Sequence, residues 1–226
     1  MAALTWHDDG KSIYHTGVKN CALYVVDDTT QEYGEGIAWN GITAVTESPS
    51  GAEVTSLYAD DKKYINLVSA EEFGASIEAY MYPPEFEECD GTAELAPGVG
   101  IGQQSRKKFG LAYLTTVGND KLGDKYGEII HLIYNCTASP SEKGYQTISD
   151  SPEAITFSWE LSTTPKEETV NGKTVSTATV TIDSTKFEGG VTNAKYVAIK
   201  QALYGSSDKA PTLLSLTELF ERAKTA

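Results

Sequence analysis

"EAITFSWELSTTP", residues 153–165, alternates along its length: Ile155, Phe157, Trp159 and Leu161 fall on one face of an extended chain, and Thr156, Ser158, Glu160 and Ser162 on the other. Successive side chains of a strand point to opposite sides, so this pattern describes a strand laid over a core and wetted on its back. The pattern recurs in "FGASIEAYMY", 73–82, where Phe73, Ala75, Ile77, Ala79 and Met81 oppose Ser76, Glu78, Tyr80 and Tyr82. "KKFGLAYLTTVGND" sets Phe109, Leu111, Tyr113 and Val117 together. "GEIIHLIYNCTA", 127–138, is apolar on both faces through Ile129, Ile130, Leu132, Ile133 and Tyr134. A strand of that last kind belongs in a sheet covered on both sides.

Asn40-Gly41 and Asn171-Gly172 lie between strand-like flanks. Asn-Gly accepts the positive φ of a tight turn, so each pair predicts a hairpin. Helix signals come late. "TNAKYVAIKQALYG" puts Tyr196, Ile199 and Leu203 on one stripe and stops at Gly205, a good residue to follow a helix. "SLTELFERAK" opens with a Ser215/Glu218 capping box and turns Leu216, Leu219 and Phe220 inward. The expected architecture is mainly β: an antiparallel β sandwich or open barrel with one packed α-helix and a short C-terminal helix. No repeat or linker divides the chain, so residues 1–226 read as one domain, with 1–17 as an N-terminal arm and 206–226 as a C-terminal extension.

Eighteen basic against thirty-two acidic side chains give a net charge of −14. That balance argues against wrapping nucleic acid, which needs Lys and Arg to displace phosphate counterions. Three widely spaced cysteines, Cys21, Cys89 and Cys136, read as free thiols of a protein folded in a reducing cytosol. The N-terminal stretch lacks the apolar segment of a signal peptide and no run reaches membrane-spanning length, so no membrane insertion is expected. Without a secretion route, the Asn135-Cys136-Thr137 sequon is read as coincidence.

No pattern in the sequence carries chemistry. The glycines of "APGVGIGQQSRKK" fall at 98, 100 and 102 with no Gly-Lys-Ser/Thr behind them, which predicts a turn between strands. His7 precedes Asp8 and Asp9, a pattern open to a metal but equally that of an acidic terminus, and His131 sits inside a strand. Glu85, Glu87, Glu88 and Asp90 crowd behind Pro83-Pro84 with Phe86 as their apolar anchor. Paired-carboxylate chemistry needs two carboxyls held across a cleft, whereas this order describes a proline-started, solvated helical turn. No catalytic residue, metal or cofactor is assigned, and the chain is not expected to be an enzyme.

The block "VTESPSGAEVTSLYADDKKYINLVSAEEFGASIEAYMYPPEFEECDG", the later "GIGQQSRKKFGLAY" and "SPEAITFSWELSTTP" resemble the major tail protein, or tail-tube subunit, of long-tailed bacteriophages of Gram-positive hosts. The resemblance runs from about Val18 to Leu203. It implies a structural virion protein, six copies to a ring, with rings stacked into a hollow tube. The tube would be assembled in the host cytoplasm around a tape-measure protein, meet tail terminator and tail-tip proteins, and let double-stranded DNA through without holding it. Some relatives carry a C-terminal immunoglobulin-like domain, for which this chain leaves no room. On this reading the polar faces of two strands, Ser76 and Glu78 with Thr156, Ser158 and Glu160, are candidates to line the lumen; the alternative is that they face outside solvent. Arg106, Lys107 and Lys108 are candidates to meet Glu85, Glu87 and Glu88 of a neighbouring subunit, the alternative being a solvated loop end. Two other functions stay open: the inner tube of a contractile tail or injection device, and a carbohydrate-binding module of a tail tip using Trp6, Trp39 and Trp159.

Overall fold

The computed structural model describes residue 6 and residues 8–148 and 154–224. In chain order the elements are β1 (Ile13–Val25), β2 (Ile37–Trp39), β3 (Ile42–Glu47), β4 (Ser50–Gly51), β5 (Val54–Ala59), β6 (Lys62–Val68), β7 (Glu71–Glu72) and β8 (Gly74–Ala79). There follow α1 (Glu87–Asp90), β9 (Ala93–Ala96), β10 (Val99–Ile101), β11 (Phe109–Asn119), β12 (Gly123–Ala138), β13 (Phe157–Thr163), β14 (Lys166–Val170), β15 (Lys173–Thr177), β16 (Thr179–Asp183), α2 (Ala194–Tyr204) and α3 (Leu216–Lys224).

The main sheet is antiparallel, in the order β2-β1-β11-β12-β13-β8-β3, with β16 branching from β12. The branch is where one sheet becomes two walls. β12 pairs with β16 along Ile129–Ile133 and, past Asn135 in a left-handed conformation (φ 50°), with β13 along Cys136–Ala138. Tyr33 fixes that corner: its hydroxyl accepts from the Asn135 amide (2.9 Å) and donates to the Asn135 side-chain oxygen (3.1 Å). The side-chain nitrogen of Asn135 donates to the carbonyl of Thr164 (3.2 Å), so both ends of the sequon asparagine are occupied structurally.

β11 and β12 divide two apolar layers, as the doubly apolar 127–138 run requires. Inside the barrel Phe109, Leu111, Tyr113, Ile133 and Cys136 pack on Leu23, Trp39, Ile77, Trp159 and Leu161. On the reverse, Ala112, Leu114, Ile130, Leu132 and Tyr134 meet Tyr196, Ile199 and Leu203 of α2 and Leu219 of α3. Asn193 caps α2, its side chain accepting from the amide of Lys195, and Ser215 and Glu218 form the expected box at α3. Residues 13–17 are the first half of β1, hydrogen-bonded to β11, and Leu213, Leu214 and Leu219 of the C-terminal stretch are core residues.

Three local expectations need correction. Asn171-Gly172 turns the β14–β15 hairpin, but Asn40-Gly41 does not turn one: β2 and β3 lie at opposite ends of the strand order, so this pair is the corner that carries the chain from one wall to the other. The 73–82 alternation stops at Ala79. Beyond it Met81 is exposed, while Tyr82 turns inward against Phe157 and Trp159 (ring centroids 5.4 Å from each). The Trp39 indole, donating to the Met81 carbonyl (2.9 Å), holds that reversal, and Pro83 follows it. Ile155 and Thr156 precede β13 and are exposed, so neither takes a place in the sheet.

Candidate assembly surface

Between the end of β3 and the start of β8 the chain leaves the barrel and returns as a long hairpin. β4 and β7 pair at its base, Ser50 with Glu72 and Gly51 with Glu71, and β5 pairs with β6 from Val54↔Val68 to Ala59↔Lys62. Asp60 and Asp61, at φ 52° and 58°, make the two-residue turn at the tip. Both φ values are positive, and aspartate tolerates this conformation better than most side chains. At about 3.3 Å per residue the arm extends roughly 30 Å from its base. Its strands pair with each other and join no other sheet.

The arm carries apolar residues on both faces. By register, Leu57, Ile65 and Leu67 share one side, and Val54 and Val68 share the other with Ser56 and Asn66. Tyr58 is 72% exposed, Tyr64 76% and Val68 64%. A two-stranded hairpin is marginal in water by itself and gains nothing from apolar groups left wet. The seven open side chains Val54, Leu57, Tyr58, Tyr64, Ile65, Leu67 and Val68 offer on the order of 800 Å², about one partner's share of a standard protein interface.

The outer face of the β3-β8-β13 wall is polar. Register sets Ser158 opposite Glu78 and Glu160 opposite Ser76, with Thr46 of β3 beside Ser76. Four of the five residues singled out in the sequence thus share one face, and Thr156 stands just ahead of it. β3 is the open end of this wall.

The acidic turn is proline-started, with Pro84 opening a 3-10 turn that runs into α1. It is not wholly solvated. Asp90 is buried and receives three groups: the Trp159 indole NH at Oδ1 (3.1 Å), the Lys143 ammonium at Oδ2 (2.9 Å) and the Arg106 guanidinium at Oδ1 (3.5 Å). Lys107 pairs with Glu88 at 2.6 Å, and that carboxylate holds its ammonium above the usual lysine range. The basic triplet and the acidic turn do meet, within one chain; Lys108 and Glu85 are exposed and Glu87 is half-buried.

At the root of the arm, the Glu47 carboxylate accepts from the Tyr113 hydroxyl (2.5 Å) and lies 3.4 Å from His131 Nδ1. The His131 ring stacks on Tyr113 (centroids 4.7 Å, planes 1° apart) and its Nε2 contacts the Thr115 hydroxyl at 2.9 Å. This cluster is a tie between the walls. Among the described residues no group of His, Cys, Asp and Glu has the geometry to hold a metal ion, and His7 lies outside the described residues. Pro97-Gly98 turns the β9–β10 hairpin, the turn expected of the glycine-rich run. Cys21, Cys89 and Cys136 are buried thiols, Cys21 and Cys89 pushed up to about 12 by burial. Trp39 and Trp159 are core residues with no face left for a sugar, whereas Trp6 is exposed.

No protein-family model matches the chain, and no curated protein matches it in sequence. Among solved structures it is similar to a chain of the anti-feeding prophage baseplate, at 9% identity and TM-score 0.37, covering 83% of this chain and all of that one. It is also similar to a chain of the PVC sheath-tube complex of an extracellular contractile injection system (12%, TM-score 0.31, 72% of this chain, 88% of that). A third is Hcp1 from Salmonella typhimurium (12%, TM-score 0.29, 73% of this chain, 95% of that). At this level of superposition the likeness is slight.

Proposed function

We propose that this chain is a non-enzymatic structural subunit that joins copies of itself into stacked hexameric rings, forming the tail tube of a long-tailed bacteriophage. The observation that carries the reading is the 50–72 arm, with apolar side chains on both faces and no cover from the described residues of its own chain. Open sheet edges invite pairing with another copy, a hazard in a monomer and a bond in a ring. The sequence resemblance supplies the tail, its location in the virion, and its partners: the tape-measure, terminator and tip proteins, and DNA in transit. Ser76, Glu78, Ser158 and Glu160 fit a wet, weakly anionic bore, because negative charge near a passing duplex repels phosphate within a screening length of roughly 8 Å. Thr156, beside that face, is included in the lining. Glu85, Glu87 and Lys108 keep a place in contacts between subunits, while Arg106, Lys107 and Glu88 hold the turn that presents them. Negative-stain microscopy of the purified protein tests the reading. Rings or tubes are the expected result; a monodisperse monomer at high concentration rejects it.

A further inference from the structure

The assembly reading leaves open what covers the tip of the arm, and the strand at the other end of the sheet order offers a match. The segment 34–41, which contains β2, separates two cavities of about 440 Å³ each. One is lined by Lys19, Asn20, Trp39, Lys200, Tyr204 and Pro211; the other by Val25, Glu35, Ile37, Pro84, Glu85 and Glu88. In the first, two ammonium groups face a single carboxylate: Glu128 pairs with Lys200 and lies 3.9 Å from Lys19. The Tyr204 hydroxyl in its wall is buried with no hydrogen-bond partner among the described residues. In the second, Glu88 is taken by Lys107, leaving Glu35 and Glu85 with no ion partner among the described residues. β2 pairs with β1 alone, so its outer edge between the cavities is free of any strand.

The arm tip has the complementary arrangement. Asp60-Asp61 form the turn and Lys62-Lys63 follow at once, flanked by Tyr58 and Tyr64, and none of the four charges has an ion partner among the described residues. In a chain of net charge −14, a cavity with cations in excess is an unusual place to seat an acidic turn. We infer that the free edge of β2 is the socket for the arm tip of a second copy, with Asp60-Asp61 on the lysine side, Lys62-Lys63 on the Glu35/Glu85 side, and the tyrosines against Ile37, Pro84 and Pro211. This rests on the self-assembly reading and names its contact. Opposite charges on the two sides of the edge make the contact directional: a tip docked the other way round meets like charge on both, which disfavours the wrong register. Tip and socket are distinct surfaces, so the contact is heterologous and closes into rings or runs into filaments.

The test is a charge exchange in the full chain. Lys62→Glu with Lys63→Glu, and separately Glu35→Lys with Glu85→Lys, each raise the concentration needed for assembly tenfold or more, with circular dichroism unchanged. All four together restore it to within about threefold. In a second measurement, copies carrying Asp61→Cys are mixed with copies carrying Lys19→Cys and oxidised; the three native cysteines are buried, and a cross-linked heterodimer is expected. If the unmodified chain assembles but the exchange shows no rescue and the cysteines do not cross-link, the socket is wrong and self-assembly stands. If the unmodified chain never assembles, both fall together.

Discussion

At the scale of single residues the sharpest consequence sits at Asp90. Its carboxylate is buried and satisfies an indole and two cations at once. Removing it strands the Trp159 NH and leaves Arg106, which still donates to the Ala138 carbonyl, and Lys143 without a counter-ion among the described residues. Asp90→Ala lowers the urea-unfolding free energy by about 3 kcal/mol, the usual cost of breaking a buried pair from one side. Asp90→Asn keeps the Trp159 bond and loses less; equal losses in the two variants contradict this account. His131 gives a pH dependence. Burial holds its imidazole below the usual range, outweighing the pull of Glu47, and His15 pushes the same way; Tyr113 and Thr115 complete its surroundings. The folded chain therefore binds this proton less readily than the unfolded one. Stability is full above the unfolded value of about 6.5 and falls as pH drops through it toward the lower folded value. Melting temperatures at pH 7.5 and 5.5 measure this, and His131→Gln shows the smaller acid loss; identical losses count against it. Asp90 could not be read from its neighbours, since in an acidic run nothing in the sequence marks which carboxyl turns inward.

Among elements, β11 shows how tightly the two layers are joined. Gly110 lies where an added Cβ would overlap the Leu213 side chain and come within 3.2 Å of the Ile133 carbonyl. Gly110→Ala accordingly destabilises by about 1–3 kcal/mol through overpacking, read as a lower urea midpoint with unchanged slope. The strands that build the walls were legible because burial on one face writes a period of two: Ala75, Ile77 and Ala79, then Trp159 and Leu161, are buried as their spacing predicts. α2 and α3 were legible from their stripes and caps. Asn171-Gly172 and Asn40-Gly41 look alike locally, yet only one turns a hairpin, because pairing between strands far apart in sequence decides what a tight turn connects. The arm escaped the sequence reading for a physical reason. With both faces apolar and neither packed on a core, it carries no alternation, and its turn uses Asp60-Asp61 where Asn-Gly gives the stronger signal. The clue was two β-rich runs, "EVTSLYA" and "KYINLV", set apart by "DDK".

At the level of the whole molecule, a polar wall, open edges and an arm left uncovered by the described residues all suit assembly with further copies. If the β8–β13 face lines a bore, Glu78→Lys with Glu160→Lys leaves assembly intact, because those side chains lie outside the core, but slows DNA ejection at low salt; an unchanged ejection rate assigns the face to outer solvent instead. The central claim is that the 50–72 arm drives self-association while contributing little to the monomer's own fold. Sedimentation velocity on the full chain, and on a variant with residues 52–70 replaced by a short Gly-Asn-Gly turn, measures this directly. The prediction is large particles for the full chain, and for the shortened one a folded monomer whose melting temperature lies within a few degrees of the parent's. A shortened chain that still forms particles of the parent's size, or a full chain that sediments as a monomer, contradicts it.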